Sequence, residues 1–91
     1  MTLNNKQRKT LELIFTEPTP ANINWQDIES LFRALDATIV EGQGSQVGVK
    51  LNNFRAVFHK PHPQKEAEKS TVKTVRKFLI KAGIEEDTEI Q

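Results

Sequence analysis

The sequence has 91 residues, no cysteine and no apolar run near the roughly 20 residues that a membrane-spanning helix requires. Without cysteine, neither a disulfide nor a thiolate metal site can form. The first ten residues contain no apolar stretch, so a signal peptide is not expected. We therefore expect a soluble, cytoplasmic protein that does not associate with membranes.

The length predicts a single domain, because a chain of this size can build only one modest hydrophobic core. We expect an N-terminal helical extension over residues 1–20, a core over residues 21–84 and an acidic tail over residues 85–91. A sheet in such a domain cannot be covered on both sides. One face of the sheet should therefore stay open.

Charge is distributed unevenly along the chain, although the net charge is only +1. Residues 1–45 hold four basic and six acidic side chains, and residues 46–81 hold nine basic and two acidic ones. Residues 82–91 hold four acidic side chains and no basic one. The middle segment would attract a polyanion and the tail would repel one. This pattern favours a nucleic-acid surface, with a merely solvated basic face as the alternative.

Three segments show helical periodicity. Residues 4–15 place Leu11, Ile14 and Phe15 at helical spacing, and residues 25–35 form a clear amphipathic pattern that Asn24 should cap. The third predicted helix spans residues 71–82, with Ser70 as its cap and Gly83 as its C-terminal stop.

Two runs of alternating apolar residues, 46–51 and 54–59, predict a hairpin. Asn52 and Asn53 form a two-residue loop suited to a type I′ turn, in which both residues need positive φ. The short β-branched run at residues 37–40 should add a third strand. The predicted fold class is thus α+β, a two-layer sandwich with a three-stranded antiparallel sheet, helices on one face and the order α, α, β, β, β, α.

This register sends one set of hairpin side chains to the core: Val47, Val49, Leu51, Phe54, Ala56 and Phe58. The opposite face, here called the outer face, carries the cross-strand pairs Lys50/Arg55, Gly48/Val57 and Gln46/His59. A sheet face with cations, a histidine and a glutamine is suited to handling RNA.

The order of features from residue 42 onward resembles the HicA-type toxins: GQGSQ at 42–46, a strand, the Asn-Asn turn, HKPH at 59–62 and a closing helix ending in KAGI at 81–84. The resemblance covers about residues 25–84. It implies a fold similar to the double-stranded RNA-binding domain and a ribosome-independent mRNA interferase activity. It also implies inhibition by a HicB-like antitoxin within a type II toxin–antitoxin pair.

One residue departs from the family motif, a Gly-Ser-His whose histidine is catalytic, because Gln46 stands at that position here. Glutamine exchanges hydrogen bonds but does not titrate, so it cannot move a proton. Three interpretations stay open. His59 can replace the missing histidine, the protein can bind RNA and antitoxin without cutting, or His59 and His62 are ordinary surface residues.

The candidate site residues follow from the hairpin register and from the resemblance to the HicA-type toxins. The catalytic candidates are His59, His62 and Gln46, and the predicted RNA-binding residues are Ser45, Lys50, Arg55, Lys60, Lys73 and Lys77. The predicted partners are mRNA and a HicB-like antitoxin, and neither a metal nor a cofactor is expected. A module that binds only protein, with its basic surface against an acidic partner, is the alternative from another class.

Overall fold

The computed structural model describes residues 3–85, and the predicted acidic tail beyond Glu85 lies outside the described residues. The elements are α1 (Asn5–Ile14), α2 (Trp25–Ala34), β1 (Thr38–Glu41), β2 (Gln46–Leu51), β3 (Phe54–His59) and α3 (Lys69–Lys81). This order confirms the predicted α+β class. Within residues 3–85, no helix is long and apolar enough to cross a membrane.

The sheet is antiparallel, with strand order β1-β2-β3. Asn52 and Asn53 turn the chain between β2 and β3 with φ values of 51° and 71°, as a type I′ turn requires. The turn sets the predicted register, in which Leu51 lies opposite Phe54 and Gln46 lies opposite His59. This part of the prediction is confirmed.

The inner face of the sheet packs against the helices through Val47, Val49, Leu51 and Phe58. Phe54 was predicted to join this core, but it is 40% exposed. It belongs to the inner face by register, yet it follows the turn at the tip of the hairpin, where it is left partly in solvent. Phe54 is therefore not a core residue.

Four aromatic rings join the sheet to two helices. Phe58 lies 5.8 Å from Phe32, 5.8 Å from Phe78 and 6.1 Å from Trp25 between ring centroids. Such pairs contribute about 0.5–1.5 kcal/mol each beyond the area they bury. They hold the C-terminal end of β3 against both ends of α2 and against α3.

The predicted start of α3 is wrong. The helix begins at Lys69, its N-cap is Glu68 without a side-chain hydrogen bond, and Ser70 lies inside the first turn. The preceding chain is held extended, because Glu66 forms a bridge with Asn24 and the Ala67 amide donates to the Ile23 carbonyl at 2.8 Å. The helix therefore starts as soon as this pairing ends. The predicted cap of α2, Asn24, is confirmed, and of the two possible caps of α1, Asn4 and Asn5, the structure uses Asn4.

Arg76 ties the N-terminal extension to α3. Its guanidinium donates to the carbonyl of Ile14 at 2.8 Å and to that of Thr16 at 3.1 Å, and it pairs with Glu17. Its side chain is only 16% exposed. Arg76 is thus a structural residue, and it closes the C-terminal end of α1, where carbonyls lack partners within the helix.

Replacing Arg76 with methionine should lower the free energy of unfolding by about 1–3 kcal/mol, because the partly buried carbonyl of Ile14 loses a charged donor. Urea denaturation measures this change. The matched control is Lys77→Met, an exposed position on the same helix, which should stay within about 0.5 kcal/mol of the wild type. Equal effects of the two changes would contradict the structural role of Arg76.

Candidate functional site

Gln46 and His59 face each other at the end of the β2–β3 ladder, and both are exposed on the outer face. Directly opposed residues in an antiparallel pair hold their Cβ atoms about 5 Å apart. The Gln46 side chain lies over the backbone of Gly42, where an added Cβ would come within 3.2 Å of Gln46 Cβ. A glycine at position 42 therefore leaves room for the glutamine.

Lys50 and Arg55 form the next polar pair on the outer face, close to the turn. Four residues of strand separate Arg55 from His59, which is about 13 Å at the usual rise. The structure therefore does not bring these two cations close to His59. Lys50 and Arg55 can meet a different part of an extended ligand than His59 does.

An apolar stripe crosses the sheet between these two polar pairs. It consists of Val40 on β1, Gly48 on β2 and Val57 on β3, which are paired side by side. The two valines are 61% and 60% exposed. A side chain at Gly48 would meet only the Val40 carbonyl oxygen, at an ordinary 3.7 Å, so packing does not demand a glycine there.

A cleft of about 740 Å³ adjoins the Gln46/His59 end of the sheet, and it is called the α2 cleft below. It lies between the start of α2, the β1–β2 loop and the segment after β3, and three predicted site residues line it: Ser45, Lys60 and His62. The backbone amide of Lys60 donates to the Ser45 carbonyl at 2.8 Å, which continues the ladder one step beyond Gln46 and His59. The cleft and the outer face therefore meet at one sheet end.

Lys60 is already paired. Its ammonium donates to the Glu41 carboxylate at 2.8 Å. This hydrogen bond is the main reason why the pKa of Lys60 is raised above its ordinary value. The negative charges of Glu41 and Glu29 raise it further. Lys60 was predicted to act together with Lys50 and Arg55, but it turns toward the cleft, on the other side of the strand from His59.

The two predicted RNA-binding lysines of α3, Lys73 and Lys77, are exposed. They project away from the stripe of Val72, Val75 and Leu79 that α3 buries, so they belong to the helical layer. The structure does not bring them onto one surface with Lys50 and Arg55.

Sequence reasoning missed the residues that α2 contributes to the cleft. Glu29 accepts a hydrogen bond from the Trp25 indole at 2.8 Å and lines the cleft with it. The spacing of four residues on a helix is a usable signal for that contact. Lys65 also lines the cleft, but no sequence pattern indicated its position. It is placed there by a hydrogen bond from the Trp25 amide to the Lys65 carbonyl, and these two residues are far apart in the chain.

Gly48→Ala should raise the free energy of unfolding by about 0.5–1 kcal/mol, because a strand glycine costs conformational entropy and the added methyl group has space. The matched control is Gly83→Ala, where φ is +91° and the same change should destabilise the protein by about 1 kcal/mol. Both values come from urea denaturation. Destabilisation by Gly48→Ala would mean that the glycine is required by the fold.

In a comparison with protein-family models, residues 25–84 of the 91 match the model described as the HicA toxin of bacterial toxin–antitoxin systems. No curated protein and no solved structure gives a significant match. The matched segment begins at the first residue of α2 and includes the whole sheet, α3 and the lining of the α2 cleft apart from Asn24. The chain therefore belongs to the HicA family of bacterial toxins, as the resemblance of its motifs predicted.

Proposed function

We propose that this toxin is an endoribonuclease that cuts mRNA at the sheet end formed by Gln46 and His59. The observation that carries the proposal is the exposed pairing of His59 with the position of the family's catalytic histidine. Histidine is the side chain that ordinarily titrates near neutral pH, and it can therefore take up and release a proton. RNA is the substrate class because the family is one of toxins and the surrounding segment is basic.

The reaction that suits this site is attack by a 2′-hydroxyl on the adjacent phosphorus. The 2′-oxygen loses its proton to a base, a bond forms between that oxygen and phosphorus, and the bond to the 5′-oxygen breaks. The leaving 5′-oxygen then takes up a proton. The products are a 2′,3′-cyclic phosphate and a free 5′-hydroxyl. All atoms and protons of this reaction are accounted for without a metal or a cofactor.

His59 is the proposed base, because it lies on the exposed face beside the family's catalytic position. His62 follows within the same chain segment and lines the α2 cleft, so it is the proposed donor to the leaving oxygen. Gln46 would donate a hydrogen bond through its amide nitrogen to a phosphate oxygen, since it cannot titrate. Charge that develops on the phosphorus group would be stabilised by Lys60 at the mouth of the cleft.

Lys50 and Arg55 are proposed to hold the RNA backbone farther along the strand. Their distance of about 13 Å from His59 suits contact with phosphates beyond the reacting one. Contacts to phosphates position the nucleic-acid backbone without reading the base sequence. These two residues would therefore contribute affinity and register but no sequence preference.

The partner is proposed to be a HicB-like antitoxin that covers the outer face. The support is the apolar stripe of Val40, Gly48 and Val57. An apolar surface contributes little to binding the charged RNA backbone, but a protein partner can bury it. Gly48 keeps the stripe open between the two valines, although packing leaves room for a side chain. A partner seated there would block access to Gln46 and His59 as well.

One further observation favours a second function, a module that binds RNA or antitoxin without cleavage. Gln46 removes the titrating group from the family's catalytic position, and the Gln46 side chain lies on Gly42. In that case the protein would still bind its partners while proton transfer is lost. The experiments below distinguish the two functions.

Replacing His59 with alanine should lower the rate of RNA cleavage by about 10²–10⁴-fold, the usual contribution of a general acid or base. Growth arrest after induced expression should disappear in parallel. The fold should be unaffected, because His59 is exposed. Cleavage of a labelled RNA by purified protein gives the rate, and circular dichroism checks the fold.

The comparison variants are Gln46→Ala, for which a smaller loss is expected, and the double variant His59→Ala, His62→Ala, which tests a shared role. Gln46→His is the decisive addition. If the wild type is inert and Gln46→His cuts RNA, the protein is the non-catalytic module and His59 is no substitute for the missing histidine.

Replacing Lys50 or Arg55 with alanine should weaken binding to unrelated RNAs alike and reduce the slope of log affinity against log salt by somewhat under one unit each. Fluorescence anisotropy over a salt series measures both effects. Lys9→Ala removes the same charge from the exposed side of α1 and should leave the slope unchanged. Loss confined to one RNA sequence would show that the residue reads bases.

A further inference from the structure

Glu29 places a fixed carboxylate in the α2 cleft. Its side chain is only 13% exposed and lines the cleft from the first turns of α2. The Trp25 indole donates to its Oε2 atom at 2.8 Å, and Arg33 lies 3.8 Å from Oε1. A carboxylate has about four acceptor positions, so these contacts orient the group and leave positions for a ligand.

The cleft that contains this carboxylate also contains a cation. Lys60 lines the same cleft, and the charge of Glu29 is among the influences that raise the pKa of Lys60, after the hydrogen bond from Glu41. An ammonium has three hydrogens, and Glu41 takes one of them. The α2 cleft is therefore lined by both a hydrogen-bond donor and a pair of acceptor oxygens.

Among the RNA bases, guanine fits this arrangement best. Its pairing edge presents one acceptor, O6, followed by two donors, N1–H and N2–H. Uracil presents a single donor between two acceptors, cytosine presents one donor and two acceptors, and adenine presents one donor and one acceptor. Only guanine can give two hydrogen bonds to one carboxylate while accepting a third from an ammonium.

We propose that the α2 cleft binds an unstacked guanine of the RNA, with Glu29 accepting from N1–H and N2–H and Lys60 donating to O6. The inference rests on the proposed RNA function and adds a sequence preference to it. Sequence-specific proteins commonly read single-stranded RNA through the pairing edges of splayed bases. Glu29 is thus a specificity residue, separate from the proposed catalytic groups.

The position and size of the cleft suit a base next to the reacting phosphate. The Ser45–Lys60 backbone bond that borders the cleft is one residue beyond the Gln46/His59 pair. The cleft volume of about 740 Å³ lies in the range of about 300–1,000 Å³ that small-molecule sites occupy. Lys65, at the rim, can meet the phosphate that flanks the inserted nucleotide.

The test measures binding of 2′-O-methyl hexanucleotides, which lack the attacking hydroxyl and so report affinity without cleavage. One probe is all uridine, and three others carry a single guanosine, adenosine or cytidine in the middle. The full-length wild-type protein should bind the guanosine probe about tenfold more tightly than the other two substituted probes, the discrimination of one good bidentate contact.

Glu29→Gln should reduce this guanosine preference to less than about twofold, because an amide offers one acceptor in place of two. The amide oxygen can still accept from the Trp25 indole, so the fold should persist, which thermal unfolding checks. Affinity for the all-uridine probe should not fall. The matched control is Glu12→Gln, an exposed change of equal charge on α1, which should keep the wild-type preference.

Two results would overturn the inference alone: wild-type protein that binds the substituted probes equally, or a guanosine preference that survives Glu29→Gln. A wild-type protein that binds none of the probes at low salt, the all-uridine one included, would instead overturn the proposed RNA function, and the inference with it.

Discussion

The packing of Phe58 against Trp25, Phe32 and Phe78 is the interaction on which the site depends. Side chains alternate along a strand, so burial of Phe58 sends His59 to the outer face and Lys60 back toward the α2 cleft. The Asn52–Asn53 turn then determines which residue of β2 meets His59. A slip of one residue would expose Phe58 and bury His59, so a single constraint specifies both the core and the site.

The two surfaces that meet at this sheet end are chemically different. The outer face carries polar pairs at both ends and an apolar stripe between them, whereas the α2 cleft brings a carboxylate and an ammonium together. The different roles that we propose for the two surfaces follow from that difference. Proton uptake by His59 and partner binding are proposed for the open face, whereas proton donation by His62 and recognition of a base are proposed for the cleft. A glycine at position 48, where the fold tolerates a side chain, is consistent with selection for binding at the expense of stability.

Much of the fold was predictable, because the signals were local. Apolar alternation and the Asn-Asn pair predicted the hairpin register, and helical spacing predicted the buried faces of α2 and α3. The errors arose where distant segments meet. Ser70 was a reasonable cap by composition, but the pairing of residues 66 and 67 with the chain before α2 starts the helix earlier. The contact of Arg76 with the Ile14 carbonyl joins residues 62 positions apart, so no local pattern could have predicted it.

The sequence by itself determined the family, the α+β order of elements, the open sheet face and the opposition of Gln46 and His59, since each depends on residues close together in the chain or on their period. Only the tertiary structure decided which cations belong to which surface. It separated Lys60 from Lys50 and Arg55, assigned Lys73 and Lys77 to the helical layer and placed Glu29 and Lys60 in the lining of one cleft. Such neighbours come from different elements, and their contact depends on how the layers pack, which no local pattern records.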